Sequence, residues 1–176
     1  YKGAEAEAAA KLLAGRVGHY LFISTGQVYL VRQGLERPFH EADYEGRLMP
    51  APKENSYGYP EWLYGKEKRD AEDTLARAWA EQAFPYTSLR LPMVNSERDH
   101  FNRLYGYVLR LQDGGPILVP ETPDYALRHV YAGDAVRAMQ LVLENGLGRG
   151  RAFNISQDET VTLDEFLRLL GDRLGV

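Results

Sequence analysis

A tyrosine and a lysine stand four residues apart in the run Tyr64-Gly65-Lys66-Glu67-Lys68, at the start of what reads as a long helix. On a helix, positions i and i+4 lie one above the other, so the phenol and the ammonium share a face. A free tyrosine titrates near ~10 and is a poor base at neutral pH, but a fixed cation a few ångströms away favours its charged form. Such a pair can move protons near neutrality. Upstream, His19-Tyr20-Leu21-Phe22-Ile23-Ser24-Thr25-Gly26 is an apolar run of strand length that ends in two hydroxyls and a glycine. Buried parallel strands of α/β proteins carry their sites at their carboxyl ends, which makes Ser24 and Thr25 candidates to face the pair.

Those side chains need elements to hold them. Ala4 to Ala14 is rich in Ala, Glu and Lys, with Gly15 where a C-cap glycine belongs, so a helix leads by a short loop into the strand at residues 19–24. From Gly26 to Pro60 the periodicity is lost among four prolines and several glycines, which predicts a long loop. A loop of that length in a compact domain suggests a lid or binding segment, with tyrosines 29, 44, 57 and 59 as material to pack with. Trp62 to Gln82 reads as the long helix, with Leu63, Lys66, Ala71, Leu75, Ala78 and Ala83 on its inner face and charged positions 67, 69, 70, 72 and 73 outside.

Tyr86 to Leu91 is the next strand, stopped by Pro92. Phe101 to Asp113 forms a helix, and Ile117-Leu118-Val119 a short strand between prolines. Arg128 to Tyr131 is a further strand, followed by a helix through Leu143 with Asp134 as its N-cap. Gly146 to Gly150 precedes a strand instead of following one and is a turn, not a dinucleotide motif. Arg151 to Ile155 is the last strand, and Thr162-Leu163-Asp164-Glu165 opens the final helix as a capping box. Helices alternating with apolar strands give an α/β fold.

The 176 residues suffice for one core, and 44% hydrophobic with 26% charged residues is the balance of a globular domain. A net charge of −4 disfavours nucleic acid or an anionic membrane as partner and leaves a small molecule. The absence of cysteine removes a disulfide framework, a thiolate nucleophile and a cysteine zinc site together, and no metal is expected. The apolar runs are strand-sized, without a membrane span or secretory signal, and the expected compartment is cytoplasmic. The chain begins with Tyr1, without an initiator Met, as a fragment or processed chain would.

Taken together these residues resemble the C-terminal two-thirds of an extended short-chain dehydrogenase/reductase of the NAD-dependent epimerase/dehydratase family. Five signatures carry the likeness in order: the strand ending Ser24-Thr25-Gly26-Gln27-Val28-Tyr29; Tyr64 and Lys68 as Tyr-x-x-x-Lys; Leu89-Arg90-Leu91-Pro92-Met93-Val94-Asn95 as the strand and loop over the nicotinamide; Arg128 before a short strand and Asp134; and Phe153-Asn154-Ile155 followed by Thr162. The resemblance implies a partial Rossmann fold, a doubly wound parallel sheet with a small C-terminal substrate-binding lobe. Residues 1–95 would be the remainder of the dinucleotide-binding domain, and 96–176 the substrate lobe interleaved with the last strand at about 151–155.

It also implies hydride transfer by an NAD(P)-dependent epimerase, dehydratase or reductase on a nucleotide sugar or a related alcohol or carbonyl. Tyr64 would be the general acid/base. Lys68 would lower the phenol's pKa and bond the nicotinamide ribose, and Thr25 would hold the substrate oxygen. Ser24, Tyr64, Lys68, Leu91 and Pro92 would line the NAD or NADP site, with Thr25, Met93, Asn95 and Arg128 facing substrate. The competing reading is a non-catalytic binding or regulatory protein that keeps this fold.

Departures from the family pattern fall around the substrate. Ser96-Glu97 stands where many members have Gly-Pro, Met93 where an Asn is common, and Tyr131 where a His is usual, while the stretch between Thr25 and Tyr64 is long enough to carry an insertion. The family's glycine-rich phosphate loop lies in a first βα turn that this chain does not contain, so the isolated polypeptide should hold the dinucleotide poorly and be inactive alone. In that topology the strand at 19–24 pairs on one side with 86–91, next to 151–155. Its other side is left as an edge that invites a homo-oligomer or the missing N-terminal half.

Overall fold

A computed structural model describes residues 2–121 and 126–176. Helix α1, Gly3–Leu13, ends at Ala14, and Gly15 turns the chain away with φ +69°. Strand β1, Tyr20–Thr25, runs into a four-residue helix α2, Gln27–Leu30. A 3-10 turn at Glu41–Tyr44 interrupts the following segment, and helix α3 spans Tyr59–Gln82. Then come β2, Tyr86–Leu91, β3, Met93–Asn95, α4, Arg103–Asp113, β4, His129–Tyr131, α5, Ala132–Asn145, β5, Arg151–Asn154, and α6, Leu163–Leu174.

The main sheet has the order β1-β2-β5 and is parallel throughout, with Thr25 opposite Leu91 and Arg90 opposite Asn154. This is the expected strand order, with β1 at an edge among the described residues. Tyr20 donates its amide to Pro85 and Gly26 to Leu91, so the even positions of β1 face β2. Backbone groups alternate sides along a strand, which turns those of Leu21, Ile23 and Thr25 to the open edge. A second, two-stranded parallel sheet pairs β3 with β4.

Each face of the main sheet has its own core. Ala6 and Ala10 of α1 and Ala71, Leu75 and Ala78 of α3 close on Phe22, Phe84 and Tyr86. On the other side Leu89 and Leu91 meet Val130, Ala135 and Val142. The six positions of β2 are all buried, as a central strand covered by helices on both faces requires. Among the described residues no helix is long and apolar enough to cross a membrane.

Several expectations need correction. The stretch 26–60 contains α2 and the 3-10 turn, because Val28 and Tyr29 are buried against α3 and give a four-residue helix a tertiary reason to form. Of its four tyrosines, Tyr57 is fully exposed and packs on nothing. Arg69 and Glu72 are buried instead of facing outward, whereas Ala83 is exposed in a left-handed C-cap. Ile117-Leu118-Val119 forms no strand, since none of the strands among the described residues pairs with it, and Leu118 is 95% exposed. Asp134 lies inside the first turn of α5, whose N-cap is Tyr131, so its carboxylate serves the helix dipole from within.

Candidate functional site

Helix α3 brings its tyrosine and lysine to the C-terminal end of β1 through a close approach at Gly65. A Cβ there would lie 2.7 Å from the Gln27 carbonyl oxygen and 2.8 Å from Val31 Cγ1, closer than any side chain tolerates. The bare backbone lets α3 sit against α2, which directly follows β1. Lys68 Nζ then donates to the Ile23 carbonyl at 2.7 Å, one of the carbonyls that β1 turns to its open edge. The same ammonium lies 4.8 Å from the centre of the Phe22 ring and 6.0 Å from that of Tyr64.

Tyr64 is 37% exposed, while Lys68 is buried. Loss of hydration holds the Lys68 ammonium below the ordinary lysine range, and the negative charge of Glu72 pulls partly back. Thr25 Oγ1 accepts the Gln27 amide at 3.2 Å, a local strand-end bond that still leaves the hydroxyl a proton to donate and a second lone pair. Lys68 thus reaches β1 with Tyr64 beside it on the same face of α3, and Thr25 ends that strand. A phenol, an ammonium and a hydroxyl are groups able to orient a diol or a carbonyl and to exchange a proton with it.

The other expected residues fall into two groups. Leu91 sits opposite Thr25, and its carbonyl accepts the Gly26 amide at 2.9 Å, so Leu91 and the following Pro92 border the same end of the sheet. Ser24 is there too, but its hydroxyl points into the interior and donates to Glu72. Met93 and Asn95 belong to the small sheet, where Asn95 lines a cavity of about 330 Å3 with Glu97, Asp99, Tyr105 and Tyr131. Arg128 donates to the Glu159 carbonyl and to Thr160 Oγ1, which ties it to the approach to α6 and not to Thr25.

Sequence reasoning missed a polar cluster one turn beyond Lys68. Glu72 and Arg90 form a buried ion pair in which Nε lies 3.1 Å from both carboxylate oxygens and Nη2 2.6 Å from Oε2. Arg90 Nη1 donates to the Tyr29 hydroxyl at 2.7 Å, which in turn donates to Asn154 Oδ1 at 2.8 Å. Burial disfavours the guanidinium charge, but the hydrogen bonds and charge of Glu72 outweigh it and raise its pKa. The Tyr44 ring lies over Arg69 at 3.7 Å and over Arg90 at 4.3 Å, which pins the 3-10 turn onto the cluster. Burial pushes the Tyr44 phenol far above the usual tyrosine range. An arginine inside an apolar strand and a glutamate in register with Tyr64 and Lys68 were the available signals.

A family model described as the NAD dependent epimerase/dehydratase family matches residues 6–156. A comparison with curated protein sequences gives no match. Among solved structures, a double mutant of dTDP-glucose 4,6-dehydratase from Streptomyces venezuelae with NAD bound is similar at TM-score 0.69 and 21% identity, over 97% of this chain and 49% of that one. UDP-glucuronic acid 4-epimerase from Bacillus cereus in complex with NAD has TM-score 0.70 and 20% identity, over 97% and 52%. UDP-glucose 4-epimerase from Thermotoga maritima with UDP-glucose has TM-score 0.69 and 23% identity, over 97% and 50%. The chain spans about half the length of these structures, and at such identities the likeness is one of fold.

Proposed function

The chain belongs to the NAD dependent epimerase/dehydratase family, and from that premise we propose that it carries the acid/base half of a nicotinamide-dependent epimerase, dehydratase or reductase. The observation that carries this reading is the placement of Tyr64 and Lys68 on one face of α3 at the carboxyl end of β1, with Lys68 bonded to the Ile23 carbonyl. The donor set fits a nicotinamide nucleoside: an ammonium for a ribose diol, and a phenol and a hydroxyl for the oxygen of a reacting alcohol or carbonyl. NAD or NADP, when bound, supplies the hydride acceptor or donor.

In this reading Tyr64 takes the proton from the substrate hydroxyl as its carbon is oxidised and returns one when a carbonyl is reduced. Lys68 holds a positive charge beside the phenol, which favours the phenolate, and is positioned to meet the ribose. Thr25 donates its remaining proton to the substrate oxygen. Leu91 and Pro92 supply an apolar wall at the neighbouring strand end. In the same reading residues 1–95 form the cofactor side and 96–176 the substrate lobe, interleaved with the last strand of the main sheet at about 151–155. Asn95 lines the lobe's cavity, Met93 lies in the small sheet and Arg128 borders it. A nucleotide sugar is the substrate class favoured by the solved relatives, two of which are named for UDP sugars and one for a dTDP sugar.

The edge of β1, open among the described residues, supports a further strand beside it, from a second copy or from a segment such as the half of the relatives' length that this chain does not span. The test is nicotinamide reduction by the polypeptide carrying this chain, followed by the near-ultraviolet absorbance of the reduced ring with UDP- and dTDP-sugars as substrates. Sugar-dependent reduction or epimerisation that needs Tyr64 supports the reading. Binding of cofactor and sugar with no turnover under any pairing would instead favour a non-catalytic relative.

A further inference from the structure

Tyr64, Lys68 and Glu72 occupy positions i, i+4 and i+8 of α3, so the buried carboxylate is the next group along the face that carries the proposed acid/base pair. Its position is unusually constrained. Arg90 grips both oxygens from β2, and Ser24, in the strand whose Ile23 carbonyl receives Lys68, donates a short hydrogen bond to Oε1. The carboxylate therefore bolts β1 and β2 to α3 directly behind the site.

We infer that Glu72 is a positioning residue for the Tyr64–Lys68 pair: clamped by Arg90 and Ser24, its carboxylate fixes where Lys68 meets the end of β1 and supplies negative charge beside that buried ammonium. Three observations support it. The hydrogen bonds of Glu72 and of Lys68 reach adjacent residues of one strand, Ser24 and Ile23, so the two side chains brace the same segment of backbone. An ammonium removed from water is favoured by nearby negative charge, and to the Phe22 ring face and the Ile23 carbonyl dipole Glu72 adds a full charge. The charge of Glu72 opposes the loss of hydration at Lys68.

The charged and titratable neighbours of Lys68 act in different directions. On α3 itself Glu72 favours the ammonium, and the Tyr64 phenol would do so once ionised. From β2, Arg90 disfavours it but stands behind Glu72 and is held by it. The Tyr44 phenol stacks on Arg90, and burial keeps it protonated. From β1 the ammonium meets a carbonyl dipole. Neutralising Glu72 removes an opposing charge that favours the ammonium and leaves the Arg90 charge uncompensated, and both changes push the Lys68 titration the same way.

The inference rests on the reading of Tyr64 and Lys68 as the reacting pair, but its readout needs neither cofactor nor turnover. Absence of enzymatic activity and failure of this inference are thus separate results. The full chain is labelled with 13C at lysine Cε, and Lys68 is assigned by the signal lost in Lys68→Met. Glu72→Gln keeps the size of the side chain and an oxygen for Ser24 while removing the charge. The Lys68 midpoint should fall by about one pH unit or more, the scale of a close opposite charge, whereas Glu81→Gln, at an exposed position of the same helix, should leave it in place.

If Glu72→Gln does not fold, the pair Glu72→Gln/Arg90→Gln removes both buried charges and carries the test, with a smaller fall expected because the repelling guanidinium leaves too. An unchanged Lys68 midpoint in a folded variant overturns the inference. Failure of both variants to fold assigns Glu72 to the core alone and overturns it as well.

Discussion

Two polar clusters share helix α3 one turn apart and are built on opposite terms. Around Glu72 the polar groups are largely spent on each other: Ser24, Glu72, Arg90, Tyr29 and Asn154 form a continuous chain of hydrogen bonds behind the sheet, which Asn154 carries on to the Phe39 carbonyl. Around Tyr64 the groups are only partly spent, with Thr25 bonded once and locally, Tyr64 more than a third exposed, and Ile23 41% exposed on an open edge. The first arrangement holds three elements in register. The second faces outward from that register with hydrogen-bonding capacity left for a ligand. Successive turns of one helix thus carry a buried ion pair that ties α3 to β2 and a Tyr64–Lys68 pair that meets β1 with its phenol partly exposed.

The largest effect should come from breaking the buried cluster. Arg90→Leu leaves the Glu72 carboxylate buried without its partner and should cost about 3–5 kcal/mol in urea unfolding, while adding Glu72→Leu should recover most of that loss because no buried charge remains. Equal instability of the single and double variants would show that the pair is not what holds β2 to α3. A middle effect is expected at the joint between the clusters. Gly65→Ala gains about 1 kcal/mol of helix propensity. Its Cβ, however, would collide with the Gln27 carbonyl and Val31, so a net loss of about 1–3 kcal/mol is expected. A stability unchanged or raised would mean that α2 yields freely and does not set the position of Tyr64.

The smallest effect belongs to an ion pair outside both clusters, between a part-exposed Arg103 and a largely covered Asp99. Asp99 accepts hydrogen bonds from Arg103, chiefly through the side chain, and its carboxyl titrates at about 2, below the ordinary aspartate value. A depressed folded pKa contributes stability that is present above the unfolded value and is lost as pH falls toward 2. Asp99→Asn should therefore lower stability at neutral pH by a small amount and flatten the acid limb, the two proteins converging as pH falls toward 2. A Cγ titration of Asp99 at the ordinary aspartate value would contradict the pairing.

Much of the frame was legible in the residues. Tyr86 to Leu91 reads as a strand from its apolar content and its stop at Pro92, and Thr162 with Glu165 marks the start of α6 through the capping box, with Glu165 donating its amide to Thr162 Oγ1 at 3.2 Å. The Tyr64 and Lys68 spacing placed both residues on one face of α3 because helix periodicity is a local rule. The buried cluster was not legible for the same reason. Arg90 and Glu72 meet across two elements, and Tyr29 reaches Asn154 across 125 residues, so a charge pattern that looks outward on a helical wheel turned out to face the sheet. Helix α2 was missed because four residues carry no period, and burial of Val28 and Tyr29 decides it.

The central claim is that Tyr64 exchanges the substrate proton while the rest of the fold merely presents it. The direct test is Tyr64→Phe in the polypeptide that carries this chain, with nicotinamide-dependent sugar turnover and thermal unfolding measured on the same preparation. Turnover should fall by on the order of 10²-fold or more, with the unfolding transition nearly unmoved, because a half-exposed phenol loses one hydroxyl. Turnover that survives the substitution would remove Tyr64 from the chemistry and leave this end of the sheet as a binding surface.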